Sequence, residues 1–206
     1  MTGPDKSNCV LSEQLSHFEA LFSENADPWK VRESIAEQVK RRTVGLLIGF
    51  NRLADGLELG CGNGVSTRAL AAHFARLIAI DGSPAAVDLT CKEVGTISHV
   101  EVRLAALPCQ LPALAFDVIV ANEILYYMPP REIQKTLKAI SAALRPGGRF
   151  ITANHLRIFH DTQCSNARLI ALVRAVFGRE RRCIWGPGWR CDLFVQPAIR
   201  PKGLAR

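Results

Sequence analysis

The stretch Gly60-Cys61-Gly62-Asn63-Gly64 gathers the strongest chemical signal in the chain. It follows the apolar Leu57-Glu58-Leu59 and precedes a helix-compatible run from Val65 to about His73. Glycines in such a bend let the backbone approach a ligand where any Cβ would collide. A helix starting immediately afterwards offers unpaired N–H groups and a positive dipole end. A dinucleotide turn that holds a pyrophosphate is spaced GxGxxG. Here the spacing is GxGxG, one residue tighter, with the acidic Glu58 two positions before the first glycine. Asp81, followed by Gly82, closes the short apolar run Leu77-Ile78-Ala79-Ile80. Asn122-Glu123 ends a second such run, Phe116 to Val120, and leads into Ile124-Leu125-Tyr126-Tyr127. His155 stands just past a third, Phe150 to Ala153. Carboxylate, imidazole and phenol groups at strand ends are suited to holding or moving a proton.

The elements that must position these groups alternate. Residues 1 to 10 read as a disordered start. Apolar residues at 11, 15, 18, 21 and 22 then give a helical spacing from Leu11 to about Phe22. Asp27-Pro28 interrupts, and a second helix is predicted from about Trp29 to Leu47. Together these form an added amino-terminal cap over about 11–47. From residue 53 the rhythm is strand, glycine turn, helix, repeated. Ser83-Pro84 supplies an N-cap and a first-turn proline for one helix. Val100 to Leu104 is a further strand, and a helix follows Pro129-Pro130, with Ile133, Leu137, Ile140 and Leu144 on one face. Pro146-Gly147-Gly148 stops that helix. A last helix covers about Cys164 to Phe177, and segments 180 to 185 and 189 to 195 flank Gly186-Pro187-Gly188 as an antiparallel hairpin. Strands alternating with helices imply an α/β fold with a mainly parallel sheet. No repeat or linker divides the chain, so residues 1–206 are expected to be one domain with its core at about 53–195.

The 206 residues are 48% hydrophobic and 22% charged, an ordinary globular composition long enough for one well-filled core. The net charge of +7 comes partly from Lys40-Arg41-Arg42, Arg179 to Arg182 and Arg200 to Arg206. Such runs read as solvated faces. No basic stripe is interleaved with aromatics, so nucleic-acid binding is not expected. The seven cysteines form no CxxC and no zinc spacing, which points to reduced thiols and a cytoplasmic protein. No apolar run has the length needed to cross a bilayer. No oligomeric state is specified.

The segment from Leu57 to Gly64 resembles motif I of the class I methyltransferases that use S-adenosyl-L-methionine (SAM). Phe116 to Tyr127 resembles their motif IV, and Leu144 to Phe150 their turn before strand five. The resemblance covers roughly residues 53 to 195. It implies a Rossmann-like, seven-stranded sheet with an antiparallel carboxy-terminal hairpin, SAM as cofactor and no metal. It assigns the cofactor to Glu58, Gly60, Cys61, Gly62, Asn63, Gly64, Asp81, Gly82, Ala106, Leu107 and Asn122, with Asp81 accepting both ribose hydroxyls. Many relatives carry an acid after strand three to hold adenine. Here that stretch is Leu104-Ala105-Ala106-Leu107-Pro108, so backbone around Ala106 and Leu107 is expected to serve.

His17 to Phe22, followed by Asp27-Pro28-Trp29, looks like the opening of the nodulation protein S family, as do Arg32, Glu37 and Lys40-Arg41 and the run Glu123 to Tyr127. That resemblance implies N-methylation of the free amine of a deacetylated chitooligosaccharide or similar amino sugar. Other small molecules as acceptor, and a SAM-binding module without turnover, stay open. Catalytic candidates are Glu123 and His155 as proton acceptors, with Tyr126 as a positioning hydroxyl. Glu123 has the alternative role of touching the cofactor. Trp29 and Tyr127 are candidates for binding the acceptor, Trp29 alternatively being a buried anchor. His160 and Asp161 fall in the loop after His155, and Trp185 and Trp189 have sugar stacking or hairpin packing open to them.

Overall fold

The computed structural model describes residues 6–109 and 111–197. Its elements are α1 (Lys6–Glu24), α2 (Ile35–Ile48), β1 (Leu53–Leu59), α3 (Val65–Ala71), β2 (Phe74–Asp81), α4 (Pro84–Val94) and β3 (Val100–Leu104). There follow β4 (Phe116–Asn122), a 3₁₀ turn (Leu125–Tyr127), α5 (Pro130–Ala143), β5 (Leu144–His155), α6 (Asn166–Phe177), β6 (Arg182–Gly186) and β7 (Trp189–Val195). The seven strands form one sheet in the order β3-β2-β1-β4-β5-β7-β6. All neighbours from β3 to β5 are parallel, while β7 is antiparallel to both β5 and β6.

Strand alternation feeds two cores. Leu57, Leu59, Ile78, Ile80, Phe150 and Phe194 pack with α5 and α6 through Ile133, Leu137, Ile140, Leu169, Val173 and Phe177. Leu77, Val118, Val120, Ile151, Ala153 and Trp189 pack with α2 and α3 through Val44, Leu47, Ile48 and Leu70. With β1 between β2 and β4, the connections run outward in opposite directions from the β1–β4 pair. A crevice opens there beyond the carboxyl ends of the strands, the usual ligand position in such sheets.

The amino-terminal expectations need correction. Helix α1 already begins at Lys6, so residues 6 to 10 are helical; residues 1 to 5 lie outside the described residues. Helix α2 begins at Ile35, not Trp29. The Asp27 carboxylate accepts the backbone N–H groups of Val31 (2.8 Å) and Arg32 (3.1 Å), which holds the intervening residues in turns. Ser34 then caps the helix, its hydroxyl accepting from the Glu37 N–H. The spelling Ser-x-x-Glu at 34–37 was the available signal. Helix α2 also supplies part of the sheet's cover.

The run Lys40-Arg41-Arg42 is not a solvated face. Lys40 is 0% exposed, Arg41 is half-buried and only Arg42 is exposed. Arg179, Arg181 and Arg182 are exposed as expected, and Arg200 to Arg206 lie outside the described residues. Strand β5 starts at Leu144, earlier than the glycines suggested, because Leu144 pairs with Phe116 before an irregularity that resumes at Val118–Arg149. Among the described residues, no helix is long and apolar enough to cross a membrane.

Candidate active site

A cleft of about 440 Å³ lies beyond the ends of β1, β2, β4 and β5 and is roofed by α1. Its glycine loop is fixed from both sides. Gly60 and Cys61 donate their N–H groups to Ile80 O at 2.8 and 3.1 Å. Gly64 has φ +80°, and a Cβ there would stand 2.8 Å from the Thr90 Cα on α4. Only glycine suits that combination of left-handed backbone and close approach. Gly62 donates its N–H to Asp81 Oδ2 (2.9 Å), and Ser83 donates to Asp81 Oδ1 (3.0 Å). Burial raises the Asp81 pKa against the pull of those N–H groups. Asn63 Nδ2 donates to Ala26 O and Asp27 Oδ1, joining this loop to the Asp27-Pro28-Trp29 turn.

Of the residues expected to hold a cofactor, Gly60, Cys61, Gly62, Asn63, Asp81, Gly82, Leu107 and Asn122 line the cleft. Glu58, Gly64 and Ala106 do not. Glu58 is wholly buried on the α3 side of the sheet, and neither carboxylate oxygen has a partner. Burial pushes its pKa up to about 8, opposed by the nearby Thr67 hydroxyl and aided by the Asp81 charge. Gly64 serves the packing on α4. Ala106 packs against Gly82, where an added Cβ would meet Ala106 Cα at 3.2 Å, and Ala105 faces the cleft instead. The Asn122 Oδ1 atom, by contrast, is buried at the cleft with no partner.

Glu123, Tyr126 and His155 all line the cleft and are brought into one network. Glu123 Oε2 accepts from the Tyr126 hydroxyl (2.6 Å) and the His155 backbone N–H (2.9 Å). Glu123 Oε1 accepts from the Lys40 ammonium, which also donates to Glu37 Oε1 at 2.7 Å. His155 Nε2 meets Glu37 Oε1 at 2.9 Å and its Nδ1 meets Gly188 O at 3.1 Å. Burial works to raise the Glu37 pKa, but His155 and Lys40 together bring it down to about 2. Both ring nitrogens of His155 therefore face acceptors, a carboxylate and a carbonyl, and both must donate. The imidazolium is the satisfied form, and the bond to Glu37 raises the His155 pKa against burial.

That geometry corrects the expected role of His155. With no free lone pair it is no proton acceptor in this arrangement; it buttresses Glu123 and Glu37. Tyr126 keeps its proton, because burial and then Glu123 raise its pKa. Glu37, Glu123 and His155 are spaced as a metal ion would require. Lys40 bonds to both carboxylates and takes the cation's part.

Trp29 is not a buried anchor. It is 44% exposed, lines the cleft, and sits with ring centroids 5.5 Å from Phe22 and 6.3 Å from Phe18. Phe18 continues to Tyr127 at 4.9 Å, and Tyr127 to Tyr126 at 4.4 Å. One aromatic wall thus runs from the glycine loop to the carboxylate network. His160 and Asp161 do not line the cleft; Asp161 lies 4.0 Å from His17 on α1. Trp189 is core, crossing Gly186, where a Cβ would overlap its ring at 2.1 Å. Trp185 is exposed outside the cleft with Arg190 over its ring. Glu37 as a cleft residue, Lys40 behind it, Arg157, Phe159 and the α1 residues Leu11, Leu15, Phe18 and Phe22 were not anticipated at the site. For α1 the signal was an apolar stripe lying ahead of any strand to cover.

Residues 57–150 match the family profile described as methyltransferase domain. The crystal structure of N-methyltransferase NodS from Bradyrhizobium japonicum WM9, in complex with S-adenosyl-l-homocysteine, superposes with TM-score 0.78. It is 23% identical, with 91% of this chain and 98% of that one covered. The fold is that of a class I methyltransferase. Nodulation protein S of Rhizobium tropici is 31% identical over 128 residues, 61% of this chain and 53% of that protein. Its counterpart from Sinorhizobium fredii NGR234 is 28% identical over 67% of this chain and 66% of its own length. The chain thus spans about half to two thirds of the curated relatives it matches.

Proposed function

We propose that this methyltransferase uses SAM to methylate an amine, with the free amine of a deacetylated chitooligosaccharide or similar amino sugar as the leading acceptor. The cleft's chemistry fits the cofactor. Asp81 turns a carboxylate with spare lone pairs into the cleft, suited to a vicinal diol. The unpartnered Asn122 Oδ1 suits an ammonium donor, and Ala105 and Leu107 offer an apolar seat for a base. Bound there, SAM supplies an electrophilic methyl group. The protein's own part is alignment: the glycine loop and Asp81 hold one reactant, the aromatic wall and Glu123 the other, and α1 excludes water. Holding two partners close and aligned supplies most of the gain in such displacements.

The observation that carries the amine is Glu123, a carboxylate at the cleft fixed by Lys40, Tyr126 and the His155 N–H. Its oxygens can accept from an amine N–H, whereas a phenolate or carboxylate acceptor has no proton to offer them. The name N-methyltransferase borne by the structural neighbour agrees with that preference. A second reading is favoured by the wall of Phe18, Phe22, Trp29 and Tyr127, which suits a compact acceptor with an apolar body. Incubation with SAM and, separately, the deacetylated oligosaccharide, its acetylated form and a set of small aromatic amines and phenols tests both. Transfer confined to the free amino sugar supports the first reading. Transfer to aromatic amines alone moves the acceptor to the second, and transfer to phenols alone removes the amine.

A further inference from the structure

Lys40 is wholly buried, yet it lies on none of the cleft's walls. A buried ion pair seldom adds stability over an apolar replacement of similar size. Its presence at the foot of a reactive cleft therefore calls for another reason. The ammonium binds two carboxylates at once, Glu37 three residues away on its own helix and Glu123 beyond β4. Glu123 itself is held at φ +55°, a left-handed backbone that a glutamate adopts only under constraint. With Glu37 and Glu123 ionised and Lys40 and His155 protonated, the four groups sum to zero charge.

We propose that Lys40, buttressed by Glu37, is a positioning residue that holds the Glu123 carboxylate and aims it at the acceptor nitrogen. The proposal rests on the reading of Glu123 as the group facing that nitrogen. Lys40 touches neither reactant and acts through Glu123 alone. Removing it leaves the Glu123 and Glu37 carboxylates facing each other without the cation that both now bind. The other titratable groups around it are Tyr126 and Tyr127 in the 3₁₀ turn, His155 on β5 and Cys191 on β7. Burial pushes the Tyr127 and Cys191 pKa values each up to about 12, and Tyr126 is raised as well, so none of the three titrates near neutrality. His155 is raised by its bond to Glu37 against burial.

The test compares Lys40→Met, Glu123→Gln and the double variant, with kcat and KM for the amine acceptor followed from pH 6 to 10. Lys40→Met is expected to move the acid limb of kcat/KM up by about one pH unit or more, with cofactor affinity within about twofold of wild type. The double variant loses one charge of each sign and is expected to match Glu123→Gln within about twofold. An unmoved acid limb in Lys40→Met overturns the proposal. So does a double variant that falls well below Glu123→Gln, a comparison that stands even where the single Lys40 variant does not fold. Should wild type methylate no amine, the function reading fails separately. The Glu123 carboxyl is then titrated by NMR in ¹³C-glutamate-labelled protein: a midpoint raised in Lys40→Met supports the positioning role, an unchanged one overturns it.

Discussion

Asp81 is held by two backbone N–H groups, and the left-handed Gly62 that supplies one of them also faces the ring of Phe22. A Cβ on Gly62 would stand 3.3 Å from that ring on a backbone at φ +56°. Gly62→Val therefore strains the loop and pushes at the roof together. Asp81→Ala removes the carboxylate and frees the Gly62 and Ser83 N–H groups. Each change is expected to weaken SAM binding by tenfold or more, about 1.4 kcal/mol, in calorimetry. Affinity unchanged in both variants means the cofactor lies elsewhere. These residues were legible in the sequence because glycine spacing and a strand-end acid are local features. Lys40 was not. A basic triplet reads as solvated whichever member turns inward, and the partner that decides it, Glu123, is 83 positions away. Glu58 shows the converse, an acid in the motif whose side chain points away from the cleft.

Helix α2 ties local chain chemistry to the site, since its first turn carries Glu37 and its second carries Lys40. Ser34 fixes where that helix starts. Ser34→Ala is expected to cost about 1 kcal/mol, a fall in Tm of roughly 2–4 °C for a domain of this size. The same change frays the turn that carries Glu37, so turnover should fall by more than the lost stability alone would take. Equal turnover at a temperature well below Tm would show that the cap does not reach the network. The helices and strands of the core were readable from period and punctuation. Two features escaped. The start of α2 is set by the Asp27 carboxylate capturing two N–H groups, which outweighed the helical spacing after Pro28. The apolar stripe of α1 announced a helix but not its partner. What it covers is the cleft, with Glu19 accepting from the Ser83 hydroxyl (2.6 Å) and the Ala85 N–H (3.1 Å) at the start of α4.

Across the whole molecule, the sheet order brings groups from α2, β4 and β5 to one end, and their ionisation couples the site to global stability. Glu37, lowered to about 2, adds stability above the ordinary value of 4.5 and loses it as pH falls toward 2. His155, raised from 6.5, adds stability below that value and loses it as pH rises through its folded pKa. Glu58 acts in the same direction for the opposite reason. It stays protonated in the fold to about pH 8 but ionises from 4.5 once unfolded, so its contribution declines between those values. Asp81, also raised by burial, adds to the decline at the acidic end. The signs combine to place maximum stability near pH 4.5, where the Glu37 contribution is complete and that of Glu58 begins to decline, with Tm falling toward pH 8. Glu58→Gln removes the titrating acid without changing its size. Its Tm relative to wild type should therefore rise steadily from pH 5 to pH 8, as read by calorimetry in ligand-free protein. A constant difference across that range would mean that Glu58 is ionised in the fold, and that the neutral acid beside Thr67 is the wrong description of the motif's first residue.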